Sequence, residues 1–110
     1  MSELNHTDKT VAKFISANNN RDKIKLIALF ARDAVVFDEG NQYKGIDEIK
    51  FWRKKINAGW NITMEIVGIT PIQDGNIIDV LCTADFLSSP AIVRYHFILK
   101  NKLIAYLKIG

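Results

Sequence analysis

The chain has 110 residues, 48% hydrophobic and 25% charged, with two prolines, one cysteine and a formal net charge of +3. That length predicts one domain, 1–110, able to bury a core of its own. The composition excludes a disordered chain and an internal disulfide, and no apolar run approaches the ~18 residues of a membrane span. The first ten residues, MSELNHTDKT, carry no signal-peptide-like apolar stretch, which together with the lone Cys82 predicts a cytoplasmic protein. The basic residues are scattered, with one cluster at Arg53-Lys54-Lys55. Scattered Lys reads as a solvated surface, so no nucleic-acid partner is expected.

The first half reads as helical. Thr7 or Asp8 can cap a helix whose apolar face is Val11, Phe14 and Ile15, and Asn18-Asn19-Asn20 ends it. Asp22 caps a second helix with Ile24, Ile27 and Ala28 on one side, widened by Leu26, Leu29 and Phe30. So broad an apolar arc predicts burial on more than one side. Ala34 to Asp38 reads as a short strand and Glu39-Gly40-Asn41-Gln42 as a turn. Gly45 precedes a third helix, Ile46 to about Asn57, closed by Gly59. Its stripe is Ile46, Ile49, Trp52, Arg53 and Ile56, with Phe51 pointing away from it.

The second half alternates with period two. Strands are predicted over Asn61–Thr70, Asn76–Phe86, Ala91–Leu99 and Leu103–Ile109. The turns between them are Pro71–Gly75, Ser88-Ser89-Pro90 and Asn101-Lys102. The inward set is Ile78, Val80, Cys82, Ala84 and Phe86, then Val93, Tyr95, Phe97 and Leu99, then Leu103, Ala105, Leu107 and Ile109. Leu81, Ile92, Ile98, Ile104 and Tyr106 fall on the outer face, among Thr83, Arg94, His96 and Lys108. Helices followed by a meander make an α+β domain whose helices cover the apolar sheet face.

Asp38 ends the apolar run Ala34-Val35-Val36-Phe37. A carboxylate there either caps the following turn, pairs with a nearby Arg or Lys, or is the polar group of an apolar pocket. Strand parity puts it on the side of Val36, facing inward. No other constellation competes. His6 and His96 are far apart and Cys82 is alone, so no metal ligand spacing exists. Ser88-Ser89 lacks a nucleophile elbow, and no glycine-rich phosphate loop is present, so no cofactor is expected.

Four segments carry a resemblance to a known family. They are Ala28-Leu29-Phe30-Ala31-Arg32-Asp33-Ala34-Val35-Val36, Tyr43-Lys44-Gly45, Ile49 with Trp52, and the run Leu103 to Gly110. Through them nearly the whole chain resembles the nuclear transport factor 2-like superfamily, in its SnoaL-like polyketide cyclase and ketosteroid isomerase-like branch. The resemblance implies a cone-shaped curved antiparallel sheet wrapped around N-terminal helices, the cystatin-like α+β barrel, with an apolar pocket inside. The chain offers Phe14, Val36, Trp52, Trp60, Met64, Cys82, Phe86, Tyr95, Phe97 and Leu107 as walls, with Tyr43 able to reach the mouth.

In that branch a general-base aspartate ends the first strand, and Asp38 falls on that position. A carboxylate in an apolar pocket is poorly solvated and becomes a better base toward an acidic C–H. The enolate so formed needs hydrogen-bond donors. The branch supplies them from a first-helix tyrosine and a protonated strand aspartate. The matching residues here are Phe14, which has no donor, and Tyr95, whose hydroxyl donates. The resemblance thus implies a small apolar ligand, with isomerase- or cyclase-like chemistry using Asp38 as base and Tyr95 as donor. The alternative is a non-catalytic binding or dimerisation module of the same fold. Family members commonly dimerise through the outer sheet face, so a homodimer is implied as well.

Overall fold

The structure is a computed structural model that describes residues 8–57, 62–84 and 90–110. Trp60 and Phe86, named above as pocket walls, lie outside the described residues. So do Gly59 and the Ser88-Ser89 turn.

Helix α1 spans Lys9–Asn19. The Asp8 side chain caps it, accepting from the backbone N–H of Thr10 at 2.7 Å. The left-handed residue after the helix is Arg21, with φ 58°, rather than one of the asparagines. Asn18 and Asn19 instead bond away from the helix. Asn19 grips Met64 twice, donating to its carbonyl and accepting from its N–H, both at 2.8 Å. Asn18 donates to the carbonyl of Ile62 at 3.0 Å. The asparagine run therefore clamps the end of α1 to the start of a strand.

Helix α2 is only Lys23–Ile27, capped by Asp22. The broad burial expected of it does not occur: Leu26 is buried, but Ile24 is 85% exposed. Of the expected helical residues, Leu29 lies in the turn after α2 and Phe30 opens the next strand. Strand β1 runs Phe30–Asp38, four residues earlier than the apolar pattern suggested. The backbone explains this, because the Leu29 carbonyl accepts from Ile104 N–H at 2.8 Å and draws the chain into the sheet. A two-residue turn at Glu39 and Gly40 follows, with φ 51° and 77°. Two positive φ values make the hairpin turn whose twist matches its flanking strands. Asn41, expected in the turn, opens strand β2, Asn41–Lys44, which pairs back along β1.

Helix α3 is Ile46–Asn57, as its spacing predicts. Ile49, Trp52 and Arg53 are buried on its inner stripe and Phe51 is exposed. Strands β3 (Thr63–Ile72), β4 (Gly75–Thr83), β5 (Ala91–Lys100) and β6 (Leu103–Ile109) form an antiparallel meander. Pro71 sits inside β3 rather than in the turn. β3 is an edge strand, where a missing N–H is tolerated.

The six strands lie in the order β2-β1-β6-β5-β4-β3, and β1 is parallel to β6. β4 alternates as expected, with Ile78, Val80 and Cys82 buried. β6 departs from its predicted parity. Leu99 pairs with Ile104 but Ile98 pairs with Tyr106, so Ala105 is an extra residue. That bulge lets both Ile104 and Leu107 face inward at 0% exposure, while Leu103 turns outward. Ile104 is thus a core residue and not part of the outer face.

The helices cover one face of this sheet. Phe14 on α1 is the hub, its ring 5.3 Å from Phe97, 6.2 Å from Phe30 and 6.3 Å from Tyr95 between centroids. Trp52 on α3 closes the group, 6.5 Å from Phe30 and 6.4 Å from Tyr43.

Candidate functional site

The large rings of the described residues leave a space beneath the helices. A cavity of about 400 Å³ remains, within the size range of small-ligand pockets. Phe14 and Asn18 of α1, Trp52 and Arg53 of α3, and Asp38 at the end of β1 line it. The sheet adds Met64, Cys82, Val93, Tyr95 and Ile109. Six of the expected site residues therefore line one cavity: Asp38, Tyr95, Phe14, Trp52, Met64 and Cys82. Val36, Phe97 and Leu107 are buried in the core and do not reach the cavity surface. Tyr43 packs against Trp52, its ring 6.4 Å away, and is not among the residues lining the cavity.

Asp38 faces inward, as its parity with Val36 predicts. Trp52 Nε1–H donates to its Oδ2 at 3.0 Å. Neither the turn cap nor a Lys or Arg ion pair is its main partner; the indole is. Burial pushes the Asp38 carboxyl above the ordinary aspartate range, and the adjacent Glu39 charge adds to this. The Trp52 bond, the Glu39 backbone amide and the Lys55 charge pull the other way without overcoming it.

Tyr95 lies on β5, buried, with its ring stacked along Phe97. Burial first, then the Cys82 and Asp38 groups nearby, push its hydroxyl well above the usual phenol range, with Arg53 opposing. It stays protonated and able to donate at any physiological pH. Cys82 is a free, buried thiol whose pKa burial raises, so it is a neutral wall and no nucleophile.

Arg53 and Asn18 are functional candidates that pattern reading passed over. Arg53 is buried, and its Nη2 donates to Asn18 Oδ1 at 2.5 Å. The signal for it was present: a cation on the apolar stripe of α3. Asn18 carried no signal, because an asparagine at a helix end reads as a stop. His96 lies on the outer sheet face, edge-on to Tyr106 at 5.8 Å, apart from this site. Among the described residues no group of three His, Cys, Asp or Glu side chains is placed to hold a metal.

A second groove of about 620 Å³ runs between α2 and α3, lined by Lys23, Lys50, Lys54, Arg53, Ile24 and their neighbours. Among the described residues no carboxylate lines it, whereas Asp38 lines the first cavity.

This architecture, a six-stranded sheet covered on one face by helices around an apolar cavity, is the nuclear transport factor 2-like fold. Solved structures agree with that assignment. A candidate polyketide cyclase from Sinorhizobium meliloti superposes with a TM-score of 0.90 at 26% identity, over 100% of both chains. A Catenulispora acidiphila protein of ketosteroid isomerase-like fold, in complex with trimethylamine, has a TM-score of 0.81 at 18% identity, over 94% of this chain and 85% of its own. A Mycobacterium tuberculosis protein in complex with estradiol-17β-hemisuccinate has a TM-score of 0.78 at 14% identity, over 91% and 88%. No protein-family model matches the chain, and no curated protein matches it in sequence. Structural likeness therefore bears out the SnoaL-like resemblance carried by residues 28–36, 43–45, 49 with 52, and 103–110.

Proposed function

We propose that the protein binds a small apolar molecule in the cavity beside Asp38 and transfers a proton on it, in the manner of an isomerase or cyclase. The observation that carries this reading is a half-buried carboxylate lining an apolar cavity that a buried tyrosine, its hydroxyl pKa raised by burial, also lines. Asp38 removes a proton from carbon next to a ligand carbonyl. Its raised pKa brings it nearer the acidity of such a C–H. The developing enolate oxygen accepts from the Tyr95 hydroxyl, a donor already held in place by packing. The Trp52 bond fixes the carboxylate's orientation, so little ordering remains at the moment of reaction. The likeness to a candidate polyketide cyclase and to ligand-bound members of the fold supports the same reading.

A non-catalytic binding module is the second reading, favoured by the same Trp52 bond, since a carboxylate so satisfied needs no further task. Proton exchange separates the two. 2-Tetralone is a small apolar ketone with an acidic C–H. In D₂O the wild type should accelerate its hydrogen–deuterium exchange, followed by NMR. Asp38→Asn should abolish the acceleration while keeping the ligand affinity. Full exchange activity in that variant overturns the base assignment, and no acceleration by the wild type leaves the binding module.

We further place the chain, as one domain over 1–110, in the cytoplasm as a homodimer through the outer sheet face. Ile92 is exposed there opposite Leu81, and further along the strand Ile98 pairs with Tyr106, which packs edge-on to His96. Apolar residues on a sheet face interleaved with Arg94, His96 and Lys108 favour a partner that covers them. The buried free thiol suits a reducing compartment. None of the helices among the described residues is long and apolar enough to cross a membrane.

A further inference from the structure

The acid/base scheme gives Arg53 no task, yet it is the most conspicuous charge in the cavity. It is 4% exposed and lines the same space as Asp38. Its buried Nε–H has no acceptor among the described residues. Asn18 Oδ1 takes one of its protons, and Asn18 is itself anchored to the carbonyl of Ile62. No carboxylate among the described residues pairs with it; the ion pairs there are Lys25–Asp22 and Arg94–Asp79, both at the surface. A second cation lies behind it. Arg21 Nη1 donates to the carbonyls of Asn18 and Ile62 at 2.8 and 2.7 Å, and its charge acts on Arg53 with the same sign.

Burying a guanidinium without a counter-charge is costly, and a position needing only volume would be better served by Leu or Met. Asp38 does not supply the counter-charge. The two groups form no ion pair, and the charges that act on Asp38 are those of Glu39 and Lys55. One part of the cavity wall is thus cationic, another carries the carboxylate, and Tyr95 is in electrostatic reach of both. The planar guanidinium fork is suited to a carboxylate.

We propose that the cavity takes an apolar molecule bearing a carboxylate, whose oxygens bind Arg53 while its apolar body lies along Phe14, Met64 and Val93 toward Asp38. This narrows the ligand class of the proposed pocket and rests on that pocket being a binding site. A dianion such as a phosphate ester would ask for more donors than one guanidinium and one hydroxyl, so a monoanion fits better.

The probe is 2-naphthoate, compared by calorimetry with 2-naphthamide, its neutral counterpart of the same shape. The wild type should bind 2-naphthoate about tenfold or more tightly than the amide, as a charge-assisted pair gives. Arg53→Met should reduce 2-naphthoate to the affinity of the amide and leave the amide unchanged. Arg53→Lys should keep part of the preference. Equal binding of both probes by the wild type overturns the carboxylate proposal and leaves the apolar pocket standing. Binding of neither probe overturns the pocket as well. Should Arg53→Met fail to fold, the wild-type comparison decides by itself. A preference for 2-naphthoate that persists undiminished in a folded Arg53→Met protein also overturns the proposal.

Discussion

Trp52→Phe is the sharpest probe of how the fold holds its carboxylate. The substitution removes the Nε1–H that donates to Asp38 Oδ2 at 3.0 Å, from a ring that is almost wholly buried. A hydrogen bond to a charged group contributes ~1.5–3 kcal/mol, and the half-exposed Asp38 puts this one at the lower end. The smaller ring also leaves roughly 40 Å³ unfilled, which at ~24 cal/mol per Å³ costs about 1 kcal/mol. The total is ~2.5 kcal/mol, or a fall in Tm of ~10–20 °C for a domain of this size. A double-mutant cycle with Asp38→Ala isolates the bond from the cavity. Urea unfolding followed by far-UV circular dichroism should give a coupling of ~1–1.5 kcal/mol at pH 7. The coupling should shrink in acid, where the protonated carboxyl loses its charge assistance. A coupling below ~0.5 kcal/mol at pH 7, the scatter of independent sites, would refute the bond as a stabilising contact.

Other perturbations test other links. Burial raises the Asp38 pKa on folding, so its charge destabilises the fold above that raised value and ceases to do so below the ordinary carboxylate range. Asp38→Asn, which keeps an acceptor for Trp52, should therefore melt higher than wild type at pH 7, and the gap should close as the pH falls toward ~4; a gap that widens in acid would reverse the sign. Ile104→Lys buries a charge at a fully enclosed position and should cost ~3 kcal/mol or more. Ile98→Lys on the outer face should leave the fold intact and halve the mass by light scattering if the dimer forms there; an unchanged dimer mass removes that interface. Gly75→Ala would set a Cβ 1.9 Å from the Phe97 carbonyl oxygen, a backbone atom that cannot step aside. It should destabilise by ~3 kcal/mol or more in thermal melts, whereas Gly40→Ala meets nothing within 4 Å and suffers only from its φ of 77°.

Legibility in the sequence followed how local each determinant was. Helix α3 and the alternation of β4 are set by spacing alone, and both match. Asp38 faced inward by parity within its own strand. Its partner Trp52 is 14 residues away on α3, and only the packing of that helix on β1 brings the indole to the carboxylate. Phe30 reads as a helical residue because Leu26 to Phe30 is apolar throughout. The competing pull comes from β6, more than 70 residues later, through Ile104 N–H. The inward turn of Ile104 depends on the bulge at Ala105, which alternation cannot reveal. Arg53 stood in plain view on an apolar stripe. Its burial, like that of Asn18, came from the clamp between α1 and Ile62, a contact without a local pattern.

The claim at the centre is that the Asp38 carboxylate faces a ligand inside the cavity. Its titration, followed by carboxyl ¹³C NMR with and without 2-tetralone, tests this directly. The account predicts an apparent pKa above the ordinary value of about 3.9, moved further upward when the apolar ketone displaces water from beside the carboxylate. An unshifted pKa that the ketone leaves unchanged while bound would contradict it.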